Sequence, residues 1–274
     1  MSDSFSLFIK NLSVKTSAGR TILKDINGQI EPGKWLALAG PNGCGKSTLL
    51  RSLAGLLIQT SGNQQKSIQF HSDSLFWDGE IWYGQRPLMH GALSLSDLAS
   101  LRSHEDSQEA PLTNLRVKDL LSLAFFQSNK QKQKELFRIP YTLPLTLVEQ
   151  QIIEDLDVNH LWNRPFDTLS TGERRLVNLA KSLVPGRSYY FLDEPEMGLD
   201  WKHWEAVVNI ILERLRENCI VVSSHHLKSF FERDLATIAV LHKGSIQGWG
   251  SSKEVLTPHL IEKVWGLKAS NSMN

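Results

Sequence analysis

The feature that most restricts the fold of this chain is the stretch GPNGCGKST at residues 40–48. It follows the apolar run WLALA, which predicts a buried strand, and it overlaps the helical run KSTLLRSLAGLL. The pattern G-x-x-x-x-G-K-[ST] between a strand and a helix predicts a phosphate-binding loop, because glycines let backbone amides turn towards phosphate oxygens. A glycine-rich turn that only closes a strand–helix junction is the plainer alternative.

The residues of this loop have predicted parts in binding ATP and Mg²⁺. Lys46 is expected to reach the β and γ phosphate oxygens, and the Ser47 hydroxyl is expected to ligate Mg²⁺. Cys44 is interpreted as structural, although a helix N-terminus can lower the pKa of a thiol, so that its modification would block nucleotide binding. The predicted nucleotide-binding residues of the loop are Gly40, Pro41, Asn42, Gly43, Cys44, Gly45, Lys46, Ser47 and Thr48.

Composition limits the class of protein. The 274 residues are 41% hydrophobic, which is enough for a packed interior. Lys and Arg number 30 against 29 acidic residues, so the net charge of +1 does not favour a nucleic-acid partner. Two cysteines without ligand-like spacing fit a reducing compartment. The chain start lacks a secretory signal pattern and no run approaches ~20 apolar residues, which predicts a cytoplasmic protein whose membrane role is peripheral.

Strand-like and helical runs alternate, which predicts an α/β fold with a mostly parallel sheet. The segments SLFIKNLSVK and TILKDINGQI predict an opening antiparallel pair of strands. Residues 86–165 show helical periodicity and no convincing strand, which predicts a helical lobe inserted into a core formed by residues 1–85 and 166–274. Within the lobe, the polar stretch around residues 95–112 is interpreted as a surface excursion.

The run SYYFLDEP supplies the acidic groups expected beside a phosphate-binding loop. An apolar strand that ends in Asp193 can place a carboxylate beside Mg²⁺, and Glu194 is the candidate to polarise the attacking water. An Asp-Glu pair after a strand can also be a helix cap or a solvated turn. The loop upstream in the same chain favours the catalytic interpretation.

The stretch LSTGE at residues 169–173 is a Ser-x-x-Glu capping box that predicts a helix start. In order with GPNGCGKST, FLDEP, MGLD and SSHH, it makes the chain resemble the ATP-binding subunit of an ABC transporter over about residues 5–265. LSTGE resembles the family signature LSGGQ, from which Thr171 and Glu173 depart. The resemblance implies a dimer, of this chain or of paired ATPase subunits, in which Ser170 and Gly172 of one subunit cover the γ-phosphate held by the other.

Three further site residues follow from the same resemblance. Gln85, at the end of EIWYGQ, matches the Q-loop residue that touches Mg²⁺ or the attacking water. Asp200 in MGLD matches the loop that runs between the two sites, although it could equally be only a helix cap. In SSHHL the Ser-His-x-Leu pattern assigns the γ-phosphate histidine to His225 rather than to His226. The aromatic residue on which many family members stack adenine is missing, since Lys15 and Thr16 stand in its place.

The tail EVLTPHLIEKVWGL and the stretch GLDWKHW resemble ATPase subunits of importers of iron-siderophore, haem or cobalamin complexes. This resemblance implies transmembrane permease subunits, a periplasmic or surface substrate-binding protein and a location on the inner face of the cell membrane. Two alternatives stay open. One is a soluble ABC ATPase that acts as a clamp on ribosomes, DNA or Fe-S assembly, and the other is an exporter subunit.

Overall fold

The computed structural model describes residues 6–31, 33–59, 75–83, 86–87, 98–101, 115–128, 145–183, 188–214, 217–224 and 236–266. The chain forms two compact units: unit A comprises Met1–Leu93 and Cys219–Asn274, and unit B comprises Ser94–Asn218. This grouping differs from the division predicted from the sequence. The assignment of residues 86–165 to a separate lobe therefore stays a prediction.

The described residues form the strands β1 (Leu7–Thr16), β2 (Thr21–Ile30), β3 (Trp35–Ala39), β4 (Ile58–Gln59), β5 (Leu75–Tyr83), β6 (Arg86–Pro87), β7 (Leu98–Leu101), β8 (Tyr189–Asp193), β9 (Cys219–Ser223), β10 (Ala236–His242) and β11 (Ser245–Gly250). The α-helices are α1 (Lys46–Leu53), α2 (Val117–Ser128), α3 (Leu147–Asp155), α4 (Thr171–Ser182), α5 (Trp201–Arg214), α6 (Ser252–Val255) and α7 (Pro258–Trp265). The mixture confirms the predicted α/β class.

One sheet of unit A is largely antiparallel. Strand β1 lies between β2 and β5 and pairs antiparallel with both, which confirms the predicted opening pair. The short strand β4 pairs parallel with β5, and β6 turns back antiparallel on β5. Buried residues recur along β1 and β2 between exposed ones, as expected for a sheet with one face on the core.

The second sheet of unit A carries the phosphate-binding loop. Its order is β11-β10-β3-β9, with β3 parallel to both neighbours and β11 antiparallel at the edge. All five residues of β3 and of β9 are buried, as expected for parallel strands covered on both faces. The C-terminal helices cover this sheet through a buried cluster that includes Val240, Val255, Leu260 and Val264. The end of β3 is thereby fixed where the loop begins.

In unit B, β7 and β8 pair in parallel, with Leu98 opposite Tyr189 and Leu101 opposite Leu192. A strand at Leu98–Leu101 corrects the expectation that residues 86–165 contain none. Four residues in a polar segment give too short an alternation to be recognised, and their pairing partner lies about 90 positions further along the chain. Helix α3 begins at a capping box formed by Thr146 and Glu149, so its start agrees with local sequence.

The turn between β10 and β11 supports the phosphate-binding loop. The Gly244 backbone N–H donates to the Cys44 carbonyl at 3.1 Å, and the Gly244 carbonyl accepts from the Lys24 N–H at 2.8 Å. Gly244 has φ +78°, and a β-carbon placed there would overlap the Ile22 carbonyl oxygen. Both the left-handed backbone and the close approach therefore require glycine.

We expect Gly244→Ala to destabilise the chain by at least ~2 kcal/mol more than Gly19→Ala, because only the first substitution adds overlap to backbone strain. Gly19 is the matched control, since it has φ +81° and open space around its α-carbon. Urea unfolding of the two variants followed by circular dichroism measures the difference. Equal loss in both would mean that the Gly244 contact is not a constraint.

Candidate functional site

The backbone of the loop at residues 40–45 depends on three glycines in left-handed conformations. Gly40 has φ 146°, Gly43 has φ 74° and Gly45 has φ 111°. A β-carbon at Gly40 would overlap the Leu241 carbonyl oxygen and lie 2.8 Å from the Cys44 Sγ atom. The phosphate-binding sequence pattern and the packing thus both require glycine at residue 40.

Lys46 places a charged group inside this loop. Its side chain is only 5% exposed, and Nζ donates to the carbonyl oxygens of Gly40 at 2.9 Å and Pro41 at 3.4 Å. A buried ammonium needs such acceptors, because an unpaired charge away from water is very unfavourable. Ser47 and Thr48 follow at the start of α1 and are half-buried. The loop therefore presents a fixed cation at a helix N-terminus, which is the arrangement that binds phosphate.

Cys44 has a structural part in the loop. Its thiol is 4% exposed, its N–H donates to the Pro41 carbonyl at 3.3 Å, and its carbonyl accepts from Gly244. Burial raises the pKa of the Cys44 thiol, an effect that the Lys46 charge only partly opposes. The structure thus supports the structural interpretation and contradicts the idea of a thiol activated by the helix N-terminus.

The acidic pair lies at the end of the buried strand β8 in unit B. Asp193 is 7% exposed, whereas Glu194 is half-buried. Glu194 has φ 46°, a left-handed conformation that is uncommon for a residue with a side chain. Its carbonyl oxygen accepts from the Met197 N–H at 3.1 Å and from Arg175 Nη2 at 2.6 Å. Sequence reasoning gave Arg175 no part in the site.

The signature stretch begins α4 as the capping box predicts. Ser170 Oγ accepts from the Glu173 N–H at 3.3 Å, and a Glu173 carboxylate oxygen accepts from the Ser170 N–H at 2.7 Å. The hydrogen bond from the Ser170 N–H lowers the pKa of Glu173. The Arg164 guanidinium, whose Nη1 lies 2.7 Å from Glu173 Oε1, lowers it further. Gly172 is exposed, and a β-carbon there would meet no atom within 4 Å. The fold of the chain itself thus does not explain why residue 172 is glycine.

Asp200 caps the start of α5, as the plainer alternative held. Its carboxylate accepts from the His203 backbone N–H at 2.9 Å and lies 2.8 Å from His203 Nδ1. The backbone N–H of His203 is the main reason why the pKa of Asp200 is lowered. Beside it, Met197 and Trp201 are 51% and 68% exposed. A role of Asp200 between two sites stays a prediction.

Two predicted residues, Gln85 and His225, lie outside the described residues. Gln85 follows β5, which pairs antiparallel with β1. The assignment of Gln85, which came from the family resemblance, stays a prediction. At the expected adenine position, the Thr16 hydroxyl accepts from the Arg20 N–H at 3.1 Å and closes the turn between β1 and β2.

The described part of the chain contains no group of three or more His, Cys, Asp or Glu side chains able to hold a metal ion. The hydroxyl of Ser47 and the carboxylate of Asp193 are oxygen donors of the kind that Mg²⁺ prefers, so these residues fit the ion. Within the same described ranges, no helix is long and apolar enough to cross a membrane.

A glycine loop that holds a buried lysine between a parallel strand and a helix, together with an acidic strand end, defines a P-loop ATPase. The family model described as ABC transporter matches residues 23–197, more than half of the chain. The chain therefore belongs to the ABC transporter family and is an ATP-binding ATPase subunit.

Relatives of known name agree with this family. The chain is 29% identical over 255 residues to the hemin import ATP-binding protein HmuV of Photobacterium damsela subsp. piscicida, covering 90% of this chain and 84% of that protein. It is 29% identical to the HmuV protein of Myxococcus xanthus (strain DK1622), with coverages of 96% and 91%. The HmuV protein of Nocardia farcinica (strain IFM 10152) is 30% identical, with coverages of 90% and 76%.

Solved structures share the fold. An ATP-binding subunit of an ABC transporter matches with a TM-score of 0.66 at 20% identity, covering 96% of this chain and 95% of that one. A metal-chelate type ABC transporter in an inward-facing conformation gives a TM-score of 0.61 at 22% identity, with coverages of 96% and 90%. A bacterial Atm1-family exporter with ATP bound gives 0.69 at 18% identity, covering 99% of this chain and 43% of that one.

Both cysteines should resist thiol reagents in the folded chain. Burial raises the pKa of Cys219 to about 12 and also raises that of Cys44, so both thiols stay protonated at pH 8. Titration with a chromogenic disulfide at pH 8 should therefore detect fewer than ~0.2 thiols per native chain and about two in denaturant. Rapid labelling of Cys44 in the native chain would contradict its buried, structural role.

Proposed function

We propose that this chain is the ATPase subunit of an importer of haem or a related metal chelate. The observation that carries the proposal is the likeness to proteins named hemin import ATP-binding proteins, at 26–30% identity over 90–96% of the chain. The stretches EVLTPHLIEKVWGL and GLDWKHW, which resemble chelate-importer subunits, support the same proposal.

The working unit is a dimer of this chain, or a pair of ATPase subunits, with two shared nucleotide sites. The exposed and uncrowded backbone at Gly172 supports this arrangement, because glycine is useful where another backbone or a ligand must approach closely. Ser170 is also exposed at the helix N-terminus. The dimer would lie on the cytoplasmic face of the membrane, bound to permease subunits through the lobe at residues 86–165, with a substrate-binding protein on the opposite side.

Within each site, catalysis follows from positioning and charge. Lys46, held by two carbonyl oxygens, is placed to bind the β and γ phosphate oxygens. Ser170 and the Gly172 backbone of the other subunit would donate to the γ-phosphate, so that ATP binds the closed dimer better than the open one. Hydrolysis removes this preference, and the resulting opening drives the permease.

Ser47, Gln85 and Asp193 would hold the metal ion. Mg²⁺ supplies neutralisation of the negative charge that develops on the transferred phosphoryl group. Asp193 is suited to this role because its carboxylate is nearly buried at the end of a rigid strand. Asp200 would contact the partner subunit, and its capping bonds to His203 fix the start of α5.

Glu194 would polarise the attacking water, and His225 would contact the γ-phosphate. We expect Glu194→Gln to keep ATP binding and to lower the hydrolysis rate by at least ~100-fold, the range of general-base loss. Steady-state phosphate release and fluorescent nucleotide binding measure the two properties. Since ATP persists in the slow variant, size-exclusion chromatography with ATP and Mg²⁺ should also reveal a dimer.

The matched control for that dimer is the double variant Glu194→Gln with Gly172→Arg. A side chain at residue 172 meets no atom of the same chain, so the fold should persist while the partner's approach is blocked. The double variant should bind ATP and stay monomeric. Normal turnover of Glu194→Gln would reject Glu194 as the residue that polarises the attacking water. An ATP-dependent dimer of the double variant would reject Gly172 as part of the dimer interface.

The cargo is tested on the complete complex. The tagged chain should co-purify from gently solubilised membranes with a permease of many spans. In nanodiscs with the matching substrate-binding protein, hemin should raise ATP hydrolysis several-fold over the unstimulated rate, whereas ferric siderophore and cobalamin should not. The Glu194→Gln complex is the control for contaminating ATPases.

Each other result has a definite meaning. Stimulation by a ferric siderophore or cobalamin instead of hemin would keep the chelate importer and reject haem as cargo. A stoichiometric exporter permease would reject import, and recovery of soluble partners alone would favour the clamp alternative.

A further inference from the structure

We infer that Arg175 is a positioning residue that holds the Glu194 backbone in its left-handed conformation and thereby aims the Glu194 carboxylate. The catalytic part of this inference rests on the role proposed for Glu194. The structural part rests on contacts within unit B alone.

The first observation is the conformation of Glu194. At φ 46° it belongs to a set of five non-glycine residues with positive φ in the described chain, and Glu194 alone of these follows directly on β8. A residue with a β-carbon reaches this region only at a cost in free energy, so the surrounding contacts must hold it. Without such contacts the backbone would relax, and the direction of the side chain would change with it.

The second observation identifies those contacts. The Glu194 carbonyl oxygen receives two hydrogen bonds, one from the Met197 N–H at 3.1 Å and one from Arg175 Nη2 at 2.6 Å. The Met197 bond is local and closes a turn. The Arg175 bond comes from α4, 19 positions earlier, and is charge-assisted, which makes it the stronger type.

The third observation concerns the burial and packing of the Arg175 side chain. Its side chain is half-buried, and its Nε atom is buried without a hydrogen-bond partner among the described atoms. Burial lowers the pKa of Arg175, and the charges of Glu196 and Glu194 oppose that effect. A β-carbon at Gly198 would lie 3.7 Å from Arg175 Cδ, so the aliphatic stem of the arginine packs beside this glycine. The packing of the stem beside Gly198 therefore favours the orientation in which Nη2 reaches the Glu194 carbonyl.

The neighbouring Arg174 provides a matched control. It lies on the same turn of α4, is exposed, and its Nη2 donates to the Asp167 carbonyl at 2.6 Å, far from Glu194 in sequence. The two arginines thus make the same type of bond at the same length to different carbonyl oxygens. Only one of those carbonyls belongs to the proposed catalytic residue.

The experiment compares Arg175→Gln, Arg175→Lys and Arg174→Gln in the full chain. We expect Arg175→Gln to lower kcat for ATP roughly 10- to 100-fold with KM changed less than about twofold, because a misplaced catalytic group lowers the rate without weakening substrate binding. Arg175→Lys, which keeps a charged donor, should recover part of the loss. Arg174→Gln should stay within about twofold of the unchanged chain in both constants.

A double variant distinguishes an effect of Arg175 through Glu194 from a merely structural role of Arg175. If Arg175 acts through Glu194, then adding Arg175→Gln to Glu194→Gln should lower the residual rate by less than about twofold. If the two losses multiply instead, Arg175 acts elsewhere and the inference is overturned. Should Arg175→Gln fold poorly, Arg175→Lys carries the same comparison.

A second readout does not depend on catalysis. Amide hydrogen exchange at Met197 reports the turn closed on the Glu194 carbonyl, and it should become at least about fivefold faster in Arg175→Gln than in Arg174→Gln. Unchanged exchange and unchanged kcat would overturn the inference. Faster exchange together with normal turnover of Glu194→Gln would support the positioning of the backbone by Arg175 while rejecting the catalytic role of Glu194.

Discussion

The structure depends first on how the loop at residues 40–45 accommodates a buried cation. The ammonium of Lys46 is nearly inaccessible, so oxygen atoms must surround it, and the Gly40 and Pro41 carbonyls supply them. In the same loop, Gly40 and Gly45 adopt backbone angles that are closed to most residues. The Gly244 turn then holds the outside of the loop through the Cys44 carbonyl. Charge, backbone conformation and packing therefore constrain one another here.

Two classes of glycine in the described chain contrast in conformation and packing. Gly40, Gly45 and Gly244 have positive φ and neighbours so close that a β-carbon would overlap them. Gly172 has neither property, because its backbone is helical and the space around it is open. Intrachain packing explains the first class completely. The second has no such explanation within the described residues, and this contrast supports the proposed partner at the start of α4.

Sequence patterns predicted the parts of the fold that local chemistry determines. The loop between β3 and α1 and the capping box at Ser170 and Glu173 depend on residues within a few positions, so a motif contains nearly all the information. The strand β7 was missed because its stability comes from pairing with β8, far away in the chain. Arg175 was missed for a related reason: a half-buried arginine on a helix has no pattern that names the carbonyl it binds. What sequence lacks is the identity of long-range partners.

The fold of this chain is shared by transporters of different kinds. This chain matches an exporter with ATP bound and a metal-chelate type transporter with similar TM-scores, 0.69 and 0.61, at 18% and 22% identity. The fold by itself therefore does not indicate a direction of transport. The proposal of import therefore depends on sequence likeness to hemin import ATP-binding proteins across at least 90% of the chain. Under the proposal, recognition of the cargo would belong to the permease and the substrate-binding protein, since every group proposed for the ATPase site would act on nucleotide, metal or the partner subunit.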